Sequence, residues 1–456
     1  MRHTSPSLAP LFCLTIVFAS TVSGLESEYP PKIPGDKQVA TDSSSQMLVG
    51  TGTLKADVKV AKIPPTVDFM YYPGQDYPAT LWSAWGDSLA VHDKCYSSIG
   101  DHAGPQGNAF VYEYDAATRQ LKEVVDVRSV IKVPDGTTYT PGKIHSRLDL
   151  GRDGWLYFST HRGSTKVTTE QHNYIGDWIL RHHPESGRTE IVVHAPLPMQ
   201  CLPTSRLDPD RLIFYAGTAD GNRDNKRVQF LAYDVPGGNV LYSDDYGPYR
   251  CMIFAESTGK VYFHGHGAPG IPGTGDGPGR LFCFDPSRPG TPHATGARLG
   301  LRAASEETSD GRVYTADGDN LWVFDTKTEK ARHLGPATVG VNTYITSIDI
   351  DPRSERYLYY VPGAHGGAYK DGSPLVQFDT RTKTRKVICF LHPFYHQKYG
   401  FIPCGAFGTA VSPDGDKVYI TWNGNRNTAP GKVGGRVKFD ICAFMVVHIP
   451  EAERQP

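Results

Sequence analysis

The 456-residue chain contains no Cys-x-x-Cys pair, no His-Glu-x-x-His, no Gly-x-Ser-x-Gly and no glycine fingerprint following a strand. Those gaps remove a cysteine-rich zinc site, a zincin-type protease, a nucleophile-elbow hydrolase and a dinucleotide-binding domain. The glycine-rich run 270–279 lacks the Lys-Ser/Thr of a phosphate loop and reads as a flexible connection, so no nucleotide cofactor is expected. Neither sign of charge dominates: 47 Lys+Arg stand against 48 Asp+Glu, and no global field draws nucleic acid or an acidic membrane. Cysteine is sparse as well. Outside Cys13 the set is odd in number, which is no disulfide framework for a chain this long. Cys201 and Cys251, at similar places in successive repeats, are the pair to test first for a bridge.

Long apolar runs are also missing, with one exception at 8–22. Arg2 and His3 precede it, and small residues at Val22-Ser23-Gly24 follow it, the arrangement of a signal peptide over 1–24. The run is too short for a comfortable membrane span. A secreted or periplasmic protein is therefore expected, with a flexible leader over 25–50 that is rich in Pro, Ser, Lys and Asp. Residues 51–456 are read as a single domain.

What the chain does have is 48 Gly, 35 Pro and 25 Tyr, with little helical periodicity, which indicates an all-β fold with many turns. A unit recurs roughly every 50 residues, within the range of propeller blades. Each unit carries a short aromatic strand, at 88–92, 155–158, 211–215, 260–263, 312–314, 357–360 and 417–420. Each also carries a third strand that in most copies ends in Phe-Asp or Tyr-Asp, at 111–115, 180–183, 231–234, 281–285, 321–325, 376–379 and 437–440. Polar hairpins such as Asp325-Thr-Lys-Thr and Asp379-Thr-Arg-Thr follow several of them. This predicts a seven-bladed β-propeller. The last unit is short of a strand, and the alternating segment 51–62 is the expected donor that closes the ring.

One stretch, 143–162, stands out. It reads as a strand, an Asp153-Gly154 hairpin turn and a second strand, with His145 near one end and His161 near the other. Antiparallel pairing brings His145, Arg147, His161 and Arg162 to one edge. Ser205-Arg-Leu-Asp208 repeats Ser146-Arg-Leu-Asp149, which puts Arg206 at the matching position of the next blade. Tyr249, Arg250, Trp422 and Asn423 are placed on the same rim as substrate-binding groups. His264-x-His266 suits zinc, manganese or calcium, with His365 as a third candidate ligand. Tyr174, in a long loop, is the candidate acid/base tyrosine. For each of these the alternative is structural: histidines bonded at strand ends, arginines paired with Asp149 or Asp208, a tyrosine in a blade core.

An exported propeller with His, Arg and Tyr at its rim resembles the propeller-fold polysaccharide lyases, the ulvan, oligogalacturonate and rhamnosyl-glucuronate types. The resemblance implies β-elimination beside a uronate carboxylate in an acidic polysaccharide or oligosaccharide; a monomer is expected. It implies His145 and His161 as base and acid or neutraliser, Arg147 and Arg206 holding the carboxylate, and Tyr174 as proton donor. The chemistry explains the residue types, because the C5 proton is weakly acidic until the carboxylate charge is neutralised. Two other classes remain open. A non-catalytic propeller could bind a glycan or protein with the same rim. A glycoside hydrolase would need two carboxylates across the pocket, from among Asp220, Asp317 and Asp319. The tryptophan-docking repeats of a quinone-dependent dehydrogenase are not visible.

Overall fold

The recurrent Asp at the end of most third strands is a turn device, and it explains the repeat. Asp115 Oδ1 accepts from the Thr118 backbone N–H at 2.9 Å, Asp285 from Ser287 at 2.9 Å, Asp325 from Thr328 at 2.8 Å, and Asp379 from Arg381 at 2.9 Å. In five blades the residue four places after the end of that strand has positive φ: Arg119, Gly187, Gly238, Glu329 and Lys383. The carboxylate starts the turn and the left-handed residue returns the chain into the outermost strand.

In the computed structural model, which describes residues 29–77, 82–101, 107–132, 138–221, 228–266, 278–426 and 439–455 together with Met1 and the backbone of 432–433 and 436–437, these hairpins build seven antiparallel blades. Blade 1 contains Leu89–Val91, Lys94–Asp101, Ala109–Asp115 and Gln120–Asp126, with Trp82–Ser83 beside Lys94–Asp101. Blade 2 runs Asp149–Leu150, Leu156–Ser159, Trp178–His183 and Arg188–His194. Blades 3, 4 and 5 begin with inner strands Gln200–Asp208, Met252–Ala255 and Ala303–Ala304, and blade 6 with Ile348–Ile350. Seven of the hydrophobic clusters lie one at each boundary between neighbouring blades, so the core is distributed around the wheel.

Blade 7 joins the two chain ends, by a different strand from the one expected. Its order from the hub outward is Ile402–Val411, Lys417–Asn425, Ile441–His448 and Thr66–Tyr71, with Ala40–Asp42 added outside. The closing strand is thus Thr66–Tyr71, paired from Thr66 opposite His448 to Tyr71 opposite Ala443. A strand between two blades is covered on both faces, and Val67, Phe69 and Met70 supply apolar groups to both. The segment 51–62 offers Lys55, Lys59 and Lys62 instead. Its Lys59–Val60 pairs in parallel with Thr384–Phe390 at the outer edge of blade 6, where Lys55 reaches Asp319 at 2.6 Å.

Three other expectations are corrected. The aromatic strand expected at 88–92 overlaps the inner strand of blade 1; the second strand is Lys94–Asp101. The third strand expected at 437–440 is Ile441–His448, an eight-residue strand buried from Ile441 to Val447. The stretch expected as a leader over 25–50 is, in its described part, a packed arm with Met47 fully buried. The segment 1–24 is, apart from Met1, outside the described residues, as is the glycine-rich run up to Gly277.

Candidate functional site

The inner strands and the loops leading into them stack side chains in layers along the hub. At residue 86 of blade 1 only hydrogen fits, since a Cβ would stand 2.6 Å from the Ser146 carbonyl oxygen. That close approach sets Trp85 against His145, their rings near parallel with centroids 6.2 Å apart. The 143–162 hairpin forms around Gly154, at φ +81°, and the ladder is interrupted between Lys143 and Asp149. Lys143 pairs with His161, so the two imidazoles meet edge to face, 5.8 Å between centroids, as strand pairing predicted.

A cavity at this end of the hub is lined by Trp85, His145, Arg250, Cys251, Arg302 and Phe407, with Arg147 and Arg206 among its other walls. Phe407 lies 4.6 Å from Trp85, and His365 stacks on Tyr344 at 4.0 Å and flanks Trp85 at 6.2 Å. Arg250 Nη2 donates to the Tyr249 hydroxyl at 3.1 Å, and Arg302 Nε donates to the Tyr344 hydroxyl at 2.8 Å. Each guanidinium also lies over the same tyrosine ring. Among the described residues neither forms an ion pair with a carboxylate. Lys143 Nζ sits 5.0 Å over Trp85.

His145 is oriented. Its Nδ1 lies 3.0 Å from the Pro203 carbonyl oxygen, which can only accept, so Nδ1 carries the proton and Nε2 keeps the lone pair. Burial, reinforced by the charges of Arg250, Lys143 and Arg302, holds its pKa well below the ordinary histidine value. Burial and the Lys143 and Arg162 charges do the same to His161. Both rings are therefore neutral near pH 7.

The next layer down is ionic and closed on itself. Arg147 bonds Glu306 through Nη2, Asp149 through Nε at 3.2 Å and Asp87 through Nη1 at 3.5 Å. Arg206 Nη2 donates to the other Glu306 oxygen at 2.8 Å, and its Nε lies 3.8 Å from Asp149. Burial opposes charge on Glu306, but the two arginines outweigh it and hold the carboxyl at about 2. Burial pushes Asp349 up to about 7 against the pull of Arg147. Arg147 and Arg206, expected to grip a substrate carboxylate, are thus neutralised by the protein's own acids.

Other expected site residues are placed as follows. Tyr174 is 1% exposed, packed edge-on against Tyr139, with its hydroxyl 3.2 Å from Cys201 Sγ and its pKa raised by burial; it is not presented to the cavity as a proton donor. Arg162 is buried, donating to the Asp220 carbonyl oxygen at 2.9 Å and contacting Cys201 Sγ at 3.3 Å. Trp422 is fully buried in the core between blades 6 and 7. Asn423 is a latch: its Oδ1 accepts from Ala84 N–H at 2.6 Å and its Nδ2 donates to the Ala84 carbonyl at 3.0 Å, tying blade 7 to blade 1. Cys201 and Cys251 are free thiols.

His264 and His266 line a small cavity with Tyr249 and Asp317, but His264 Nε2 is taken by the Leu299 carbonyl at 2.9 Å, and His365 lies elsewhere, beside Trp85. Among the described residues, the groups whose ligand atoms all lie within 4.8 Å are His161–Asp177–Cys201, all buried, and Cys283–His293–Glu329, with His293 exposed. The residues that sequence reading missed are Arg302, Trp85 and Phe407 at the mouth and Glu306 below. Arg302 had a signal available: it sits one blade repeat after Arg250.

No family model matches the chain, and no curated relative matches it. Solved structures do. An oligogalacturonate lyase from Vibrio parahaemolyticus aligns with a TM-score of 0.51 at 11% identity, over 91% of this chain and 98% of that one. An oligogalacturonate lyase in complex with manganese aligns with a TM-score of 0.49 at 12% identity, over 89% and 98%. A chain of the mitotic checkpoint complex aligns with a TM-score of 0.45 at 11% identity, over 84% and 95%. The likeness to the first of these, at 11% identity, agrees with the seven-bladed propeller and shows the fold alone.

Proposed function

We propose that this protein is an exported polysaccharide lyase that cleaves a uronic-acid-containing glycan by β-elimination. The observation that carries the reading is His145: a neutral imidazole with its tautomer fixed, its Nε2 lone pair free, in a cavity walled by Arg250 and Arg302. A uronate carboxylate entering between the two guanidiniums exchanges water for charge-assisted, bidentate hydrogen bonds. Its neutralised charge acidifies the C5 proton, and His145 Nε2 takes that proton as the C4–O bond breaks. The electrons of the C5–H bond become the C4=C5 double bond, and the proton taken up by His145 Nε2 passes to the leaving oxygen, which restores the neutral base. Trp85 and Phe407 offer apolar faces for a sugar ring.

A hydrolase reading is less well supported, because the hub acids Asp87, Asp149 and Glu306 are engaged by arginine and Asp319 by Lys55. The test is absorbance at the ultraviolet band of a conjugated unsaturated uronate during incubation with uronate polysaccharides. A rise supports the lyase. New reducing ends without absorbance would reassign the protein as a hydrolase, and retention without turnover would make it a glycan-binding propeller.

A further inference from the structure

We propose that His161, Asp177 and Cys201 form a binding site for one divalent transition-metal ion, with zinc the ion their chemistry favours, on the buried side of the His161 ring. The site lies at the junction of blades 2 and 3: His161 is in the short strand His161–Arg162, Asp177 directly precedes Trp178–His183, and Cys201 is in Gln200–Asp208. One imidazole nitrogen, one carboxylate oxygen and one thiol sulfur lie within 4.8 Å of one another, a donor set that suits zinc.

Asp177 and the Cys201 thiol face each other in a hydrogen bond, and beyond that contact two polar atoms lack partners. His161 Nδ1 and Asp177 Oδ2 are buried without a hydrogen-bonding nitrogen or oxygen partner, in residues 4% and 0% exposed. A buried polar group left in that state costs about 1–3 kcal/mol, and coordination satisfies both atoms at once. The surrounding groups are arranged as supports. Asp177 Oδ1 accepts from the Tyr139 hydroxyl at 2.9 Å and the Thr160 hydroxyl at 2.7 Å, which fixes the carboxylate. Cys201 Sγ meets Arg162 Nη1 at 3.3 Å and the Tyr174 hydroxyl at 3.2 Å, donors of the kind that stabilise a metal-bound thiolate. Ligation requires the thiol to release its proton to solvent, and the thiolate and carboxylate together then match the ion's two charges. Bound through Nδ1, the His161 ring would carry its remaining proton on Nε2. The site stands independently of the lyase reading, since nothing in it refers to a sugar.

The experiment is metal analysis of the protein purified without chelator, as wild type and as Cys201→Ser, Asp177→Asn and His264→Ala. The expected result is one zinc ion per chain in the wild type and in His264→Ala, with at least tenfold less in the other two. The stripped wild type is then titrated with cobalt(II) alone, which should give a thiolate-to-cobalt charge-transfer band in the near ultraviolet, absent in Cys201→Ser. If either substitution prevents folding, the wild-type cobalt titration decides. A wild type that keeps no metal and gives no charge-transfer band overturns the proposal. So does full retention of metal in Cys201→Ser and Asp177→Asn, or its loss in His264→Ala alone. Because the readout is metal, failure here and failure of the lyase reading are separate results.

Discussion

Two pairs of arginines line the same channel, one layer apart, and they have opposite surroundings. Arg147 and Arg206 are held by Glu306, Asp149 and Asp87 across blades 1, 2, 3 and 5. Arg250 and Arg302 rest on tyrosine rings and, among the described residues, form no ion pair with an acid. A guanidinium that the fold already neutralises is a strut, and one left uncompensated above a cavity is a receptor for an anion. Residue type alone does not separate the two. The distinction lies in which acids the other blades bring to each layer, so the layers should respond differently to the same substitution.

The largest expected effect falls on His145. His145→Ala removes the oriented base, and turnover measured by unsaturated-uronate absorbance should fall by about 10²–10⁴-fold with the melting temperature little changed. Near-normal activity in that variant would remove the catalytic assignment. The arginine layers break the comparison more directly. Arg302→Ala should lower kcat/KM on an acidic glycan by about 10²–10³-fold, with Arg302→Lys restoring part of it, while the fold stays intact. Arg147→Ala should act on the fold instead. It leaves Asp87 without its arginine and Asp149 with Arg206 alone, and unfolding by denaturant should show a loss of about 3–5 kcal/mol. Equal effects of the two substitutions on stability would mean that the layers are not distinct.

Much of this wheel is legible in the sequence, because its signals are local. Phe-Asp or Tyr-Asp followed by a polar turn recurs in five of the seven blades, and the Asx turn it encodes needs no distant partner. His145 and His161 were also legible as neighbours, since a hairpin centred on Gly154 pairs the strand ends by register. What escaped was set by contacts far apart in the chain. Glu306 meets Arg147 from three blades away around the ring and Arg206 from two, and no spacing rule announces it. The closing strand was misplaced because alternation marks the segment at 51–62 as a strand but does not say whether both of its faces are covered. Val67, Phe69 and Met70, apolar on both faces, carry that information.

The ionic layer has a pH signature opposite in sign to that of the mouth, where the lowered pKa values of His145 and His161 make their contribution to stability fall as pH drops below the ordinary histidine value. Asp349 has its pKa pushed up to about 7 by burial, against an ordinary carboxylate value when unfolded. Between about pH 4 and 7 this carboxyl therefore holds its proton more in the native than in the unfolded state, and its contribution to stability falls as pH rises through that window. Asp349→Asn keeps an oxygen to accept the Val411 N–H, a bond of 2.8 Å, and removes the titration. From pH 5 to pH 8 the wild type should lose about 1–3 kcal/mol of unfolding free energy relative to the variant, a difference in which the histidine contribution common to both cancels. The same slope in both proteins would place the titrating group elsewhere.

The smallest effect tests the turns rather than the hub. Lys383 adopts φ +58° at the end of the blade 6 hairpin, where its N–H bonds the Asp379 carbonyl at 2.7 Å, and Gly187 and Gly238 fill the same position in blades 2 and 3. A side chain in the left-handed region costs about 1–2 kcal/mol, whereas glycine enters it freely but loses more chain entropy on folding. The first term exceeds the second, so Lys383→Gly should stabilise the protein by about 0.5–1 kcal/mol with no change in activity. Thermal unfolding of the wild type and variant at one pH measures it. A destabilised variant would mean that the lysine side chain makes contacts that outweigh its backbone strain, and that the turn position is not equivalent from blade to blade.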